Sequence, residues 1–216
     1  MRGAECDAAK KSRRYPPWSC LRRPAVTEPK PEPRLAPVEF DDLDAAGRAR
    51  YQAIAESRGG MPTSFRVFMN SAGATDAVAA FGDYVRFNTD LPARTLELVI
   101  MRTATVLDDR YMWAHHAKLA AASGLSPQDL AAIARAPAPD AAWTGQAQDA
   151  DLANFIDGQL TGTLTDAAFE RVAGQFGPRL TMDLIMLTAY YALIHQLFTT
   201  LSIDSPTDTR EPAPPG

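Results

Sequence analysis

Between Leu91 and Leu125 the chain reads LPARTLELVIMRTATVLDDRYMWAHHAKLAAASGL. Two helical runs meet there at Leu107-Asp108-Asp109, the first opened by Pro92 at N1 and the second closed by Gly124 as a C-cap. Each run places an ionisable residue where a helix is otherwise apolar. At 100° per residue, the side chains within about 60° of Glu97 are Ala93, Arg94, Ile100, Met101 and Ala104. The matching sector around His116 holds Asp109, Met112, Trp113, Leu119, Ala120 and Ser123, with Lys118 nearly opposite. Glu97 and His116 are therefore predicted to face inward from consecutive helices that a short turn makes antiparallel neighbours. An inward carboxylate is costly unless it is protonated or paired, so the two residues mark a candidate site.

The 216 residues, 46% of them hydrophobic, suffice for one sizeable core and most simply one domain. Alternating β-branched runs are absent, while Ala, Leu, Met and Gln recur at helical spacing, which predicts an all-α fold. Of the 22 basic and 26 acidic residues, eight basic and three acidic ones fall in residues 1–30; the rest of the chain holds 14 against 23, or −9. So acidic a body argues against a nucleic-acid partner, because phosphate binding needs basic surface. Both cysteines, Cys6 and Cys20, lie in the basic leader, so the body offers no disulfide, thiolate nucleophile or thiolate ligand. Three histidines (His115, His116, His195) without HExxH spacing make a zinc site an unsuitable reading, and no metal is expected. There is no Gly-rich phosphate loop and no G-x-S-x-G elbow.

Residues 1–37 are rich in Pro and charge, lack apolar periodicity and read as a disordered leader. No signal-peptide h-region occurs in it. A transit peptide or nucleic-acid arm would suit its charge, but the expectation is a start codon read too far upstream, with the protein proper beginning near Val26. A helical domain spans 38–205. Its first helix, LDAAGRARYQAIAESR, is capped by Asp41 or Asp42 and stopped by Gly59-Gly60. A short helix opened by Pro62 carries Phe65, Phe68 and Met69, and the next buries Val78, Phe81 and Val85. After the central pair, Ser126-Pro127-Gln128-Asp129 launches a helix through Arg135. Residues 137–146 form a loop. Helices follow at Ala147–Leu160 and Thr165–Gln175, the second ending at Gly177-Pro178. The last, from Arg179 to Ile203, is the most apolar, yet Asp183, Thr188, His195 and Gln196 break it into runs too short for a membrane span. Residues 206–216 are a disordered tail. Arg94-Thr-Leu-Glu97 and Leu180-Thr-Met-Asp183 form a faint internal echo, each an acid before an apolar run. Apolar side chains nearly all round the central and last helices predict a homo-oligomer.

Arg94-x-x-Glu97-Leu, Tyr111-x-Trp113-x-x-His116 and Ala117-to-Gly124 leading into Leu-Ser-Pro-Gln-Asp resemble the carboxymuconolactone decarboxylase-like family, whose wider circle includes the alkylhydroperoxidase D proteins. Pro62-x-x-Phe65-Arg66-Val67 and Tyr190-Tyr191-Ala-Leu look like its longer, single-chain subgroup. The resemblance covers roughly residues 38–205 and implies a single helical domain of alkylhydroperoxidase D-like type. In the peroxidase branch a Cys-x-x-Cys pair precedes the histidine; counted back from His116, those positions hold Asp109 and Met112. Without thiols there is no thiol–disulfide cycle, and the redox activity does not carry over. The decarboxylase branch also lacks the pair and works by proton transfer on an unsaturated lactone acid, without metal or organic cofactor. Glu97 and His116 match its acid and histidine.

The resemblance thus implies a cytoplasmic, cofactor-independent carboxy-lyase of aromatic-compound catabolism, acting on a small carboxylated or lactone-bearing substrate with no nucleic-acid or membrane partner. Glu97 and His116 would be catalytic, since a buried carboxylate beside an imidazole can shuttle a proton on carbon. Their structural alternative is a satisfied core histidine and a Glu97 salt bridge to Arg94 or Arg102. Arg66, Arg86 and Arg94 are candidates for holding a substrate carboxylate, because guanidinium forks suit that shape. Arg66, Arg94 and Trp113 are taken as the substrate-binding set, although Trp113, Met112, Phe65 and Tyr190 fit a core better than a pocket wall. Asp183 and His195 read as buried, hydrogen-bonded polar residues, and His115, about 100° off the His116 direction, as peripheral. Two other classes stay open: an alkylhydroperoxidase-like antioxidant protein without redox cysteines, and a non-catalytic oligomeric binding protein.

Overall fold

The computed structural model describes residues 32–135 and 147–203. The expectations for residues 1–31, for the 137–146 loop and for the 206–216 tail lie outside the described residues. Among the described residues every regular element is helical: a 3-10 turn at Phe40–Asp42, then α1 (Ala45–Arg58), α2 (Thr63–Phe68), α3 (Ala72–Phe87), α4 (Ala93–Val106), α5 (Arg110–Ala122), α6 (Pro127–Ile133), α7 (Ala147–Thr161) and α8 (Asp166–Leu201).

Local chemistry sets most of the boundaries. Asp44, rather than Asp41 or Asp42, caps α1, its side chain accepting the Gly47 N–H, while the two earlier acids lie in the 3-10 turn. Gly59, with φ of 70°, ends that helix in the left-handed conformation. Pro62 and Pro92 are the N-cap residues of α2 and α4, one position earlier than the N1 place predicted for Pro92. At α6 the Ser126 and Asp129 side chains cap each other's backbone N–H groups, with Pro127 at the first helical position. The final segment is a single run broken at Gly177 (φ 72°, ψ 167°), after which Pro178 restarts the helix. Residues 34–38, read as the end of the leader and the start of the domain, are tied to the body: Arg34 N–H donates to Leu201 O, and Val38 N–H to Arg66 O.

The core follows from the apolar girth of α4, which packs against α5, α7 and α8. Leu98, Val99, Ile100 and Met101 are all fully buried, so every direction around that helix is filled. At about 1.5–3 kcal/mol for each such side chain, this helix is a main source of stability. Phe155 and Ile156 of α7 and Leu184 and Leu187 of α8 complete the cluster. A second cluster of Ile54, Phe65, Val67, Phe68 and Ile203 joins α1 and α2 to the end of α8. Among the described residues α8 alone is long and apolar enough to cross a membrane by length and composition. It nevertheless buries Asp183 and Thr188 against the rest of the protein.

Candidate active site

The turn between α4 and α5 brings the two predicted residues together. His116 Nδ1 lies 3.0 Å from Glu97 Oε2, and both side chains are buried. With Glu97 as carboxylate, Nδ1–H donates to it and Nε2 is left as an acceptor. Tyr191 of α8 fills that place, its hydroxyl 3.3 Å from Nε2 and its ring edge-on to the imidazole. Burial pushes the Tyr191 phenol well above its ordinary range, so it stays a neutral donor. Neither salt-bridge alternative for Glu97 is realised. Arg94 forks onto Asp149 at 2.9 and 2.8 Å and reaches Asp129 at 3.3 Å. Arg102 forks onto Asp157 and donates to the Ile133 and Arg135 carbonyls.

His116 and Tyr191 open onto a cavity of about 440 Å³. Its walls are aromatic and apolar, with Phe65, Phe68, Tyr190 and Phe198 prominent, and Arg58 and Arg86 also face it. Glu97 does not line the space; it stands behind the imidazole. Asp109 and Met112 do line it, one turn apart on the His116 face of α5. Asp109 also caps α5, accepting the Met112 N–H at 2.9 Å, and its other oxygen lies 2.7 Å from His195 Nδ1. Gly82 of α3 sits against Tyr190, where a Cβ would come within 2.4 Å of the phenol oxygen.

The other predicted residues are placed elsewhere. Arg66 pairs with Glu39 on an exposed surface, Arg94 is engaged by Asp149, and Trp113 is part of the core cluster; none of the three lines the cavity. Phe65, Met112 and Tyr190, which fit a core better in sequence, are cavity wall, and His115 is at the rim. Asp183 is buried as expected and accepts from the Tyr84 hydroxyl at 2.6 Å, so the echo of Glu97 carries no imidazole. Tyr191 and Arg58 were missed as site residues. The Tyr190-Tyr191 pair was visible in the sequence, but α8 is apolar nearly all round and its periodicity assigns neither ring a direction.

Residues 72–153, which include both Glu97 and His116, match the Carboxymuconolactone decarboxylase family. No curated protein sequence matches the chain. Among solved structures, the debrominase Bmp8 in complex with 2,3,4-tribromopyrrole is similar with a TM-score of 0.65 at 11% identity, covering 82% of this chain and 93% of that one. An uncharacterized peroxidase-related protein from Ralstonia eutropha JMP134, with an alkylhydroperoxidase AhpD core, gives 0.65 at 15% identity, covering 83% and 95%. A peroxidase-related protein from Silicibacter sp. TM1040 gives 0.65 at 12%, covering 85% and 97%. At these identities the structures speak for the fold, which is all-α and alkylhydroperoxidase D-like, and residues 72–153 are the segment similar to the carboxymuconolactone decarboxylase family.

Proposed function

We propose that this protein is an acid–base enzyme that releases carbon dioxide from a small carboxylated or lactone-bearing compound, with no metal or organic cofactor. The observation that carries the reading is the 3.0 Å Glu97–His116 contact, with the far side of the ring turned to the cavity. Loss of carbon dioxide breaks a carbon–carbon bond and leaves its electron pair in the conjugated lactone as a dienolate. Protonation on carbon then completes the reaction, consuming one proton. His116 as imidazolium supplies it from Nε2, and the Tyr191 hydroxyl in contact with that nitrogen is the relay nearest the substrate. Glu97 is a positioning residue: its carboxylate accepts from Nδ1 and fixes the orientation of the ring. A dithiol peroxidase cycle would need thiols where Asp109 and the thioether of Met112 stand. An inert scaffold would suit a filled space, whereas His116 faces an open cavity, and the Glu97–His116 contact behind it favours chemistry over binding alone.

The test is carbon dioxide release, or proton exchange, from a panel of unsaturated lactone acids. His116→Gln and Glu97→Gln should each remove most turnover with the fold intact, and the double variant should be little worse than either, because members of one unit are not additive. Glu97→Gln should also lower kcat with little change in KM, a split that a purely structural role would not give. No turnover by any compound, with both variants melting far below wild type, would make the pair structural.

We further take the protein to be a cytoplasmic homo-oligomer. Its central helix α4 is enclosed within the protomer, but Tyr84, Phe87 and Met182 stay between 43% and 56% exposed on α3 and α8. Light scattering at micromolar concentration should give a multiple of the protomer mass; a clean monomer would remove this part of the reading.

A further inference from the structure

The charges around the cavity do not cancel. Arg58 donates to Asp83 at 2.8 Å and lies over the Phe65 ring, so its charge is met within the wall. Asp109 has both oxygens engaged, by the Met112 N–H and by His195. Arg86, half-buried near the end of α3, lies over Phe87 with its guanidinium 5.0 Å from the ring centre. Among the described residues it has no carboxylate within ion-pair distance. Arg86 lines the same cavity as His116, Tyr190 and Tyr191, and its charge opposes the burial-driven rise of both phenols. An unmatched guanidinium beside an apolar wall favours an anion, and a carboxylate matches its fork. Phe65, Tyr190 and Phe198 offer flat apolar contact to whatever body the anion carries. Asp109 on the same wall disfavours a second negative charge.

Resting on the proposed reading for its location, we infer that the cavity is a binding site for flat, conjugated monocarboxylates, with Arg86 as the carboxylate anchor. The substrate class narrows accordingly, from any small acid to a monoanion whose carboxylate meets Arg86 and whose flat unsaturated body lies against the aromatic wall.

Benzoate serves as the probe, titrated calorimetrically into the full chain at low salt, with benzamide as neutral isostere and terephthalate as dianion. Benzoate should bind at least about tenfold more tightly than either, a difference of about 1.4 kcal/mol. Arg86→Gln should erase the preference over benzamide, Arg86→Lys should keep part of it, and Arg66→Gln and Arg94→Lys should leave it unchanged. His116→Gln should still bind benzoate, which separates the anchor from the chemistry. If the lactone panel shows no turnover while benzoate binding depends on Arg86, the proton-transfer reading fails and the anion site stands. Absence of benzoate binding, equal binding of benzamide, or an unchanged preference in Arg86→Gln overturns the inference.

Discussion

Two carboxylate–imidazole pairs stand on the same cavity, and they differ in nearly everything but composition. Glu97 and His116 come from helices joined by a short turn, lie 3.0 Å apart, and leave 11% and 5% of their side chains exposed. Asp109 and His195 come from the cap of α5 and the far part of α8, lie 2.7 Å apart, and leave 11% and 24% exposed. In the first pair the imidazole faces the cavity and the carboxylate stands behind it; in the second the carboxylate faces the cavity and the imidazole does not line it. The order matters chemically. A histidine in front can pass a proton to a ligand through the Tyr191 hydroxyl on its Nε2, whereas a carboxylate in front that also caps a helix is held by one backbone and one side-chain partner with no such relay. The first pair is arranged for proton transfer, the second for holding α5 and α8 together.

The sharpest way to break this contrast is kinetic. Against a turned-over lactone acid, His116→Gln should lower kcat by about 10²–10⁴-fold, the usual worth of a general acid or base. Asp109→Asn, which keeps a capping oxygen, should stay within a few-fold of wild type. Equal losses would mean that both pairs belong to one catalytic unit. The next test is thermodynamic. Glu97→Ala strands a buried ring nitrogen and should cost about 1–3 kcal/mol in denaturant unfolding. Asp109→Ala loses a helix cap and should cost about 1 kcal/mol. A reversed order would place the structural burden on the buried pair.

A smaller effect concerns alkaline pH. The Tyr191 phenol titrates higher in the folded than in the unfolded chain, so above an unfolded value of about 10 the native state binds more protons. Its contribution is complete below that pH and is lost as pH rises beyond it. Melting temperature should therefore fall above about pH 10, and Tyr191→Phe should flatten part of that fall. An unchanged alkaline slope would mean that Tyr191 is not the buried hydroxyl on His116. Smallest of all, His195→Gln should shift stability by under about 1 kcal/mol, and less in high salt, as for a partly exposed pair. A larger, salt-independent loss would make this pair as interior as the first.

The sequence made one of these pairs legible and hid the other for the same reason. Glu97 and His116 sit on consecutive amphipathic segments, and 100° per residue is enough to turn both inward. Asp109 and His195 are 86 residues apart, and Tyr191 and His116 are 75 apart. Which residue of α8 meets which residue of α5 depends on how an all-round apolar helix settles, and periodicity is silent on that. The arginines show the same limit. Arg94 begins a helix much as an anion clamp would, yet its fork is taken by Asp149 from α7, a helix lying beyond the 137–146 stretch. Arg86, set on the polar side of α3, becomes a cavity residue only because α8 lies across its end. Helix starts were readable wherever a side chain caps its own turn, as at Ser126 and Thr165, and slipped at Asp44, where three aspartates in four residues compete for the role.

Gly82 carries a consequence for what such a cavity can become. With a Cβ only 2.4 Å from the Tyr190 oxygen, even alanine would force the phenol to move, and Tyr190 is a wall of the cavity. One hydrogen replaced by a methyl, at a position that does not itself line the cavity, would thus reshape the chamber through one of its aromatic walls.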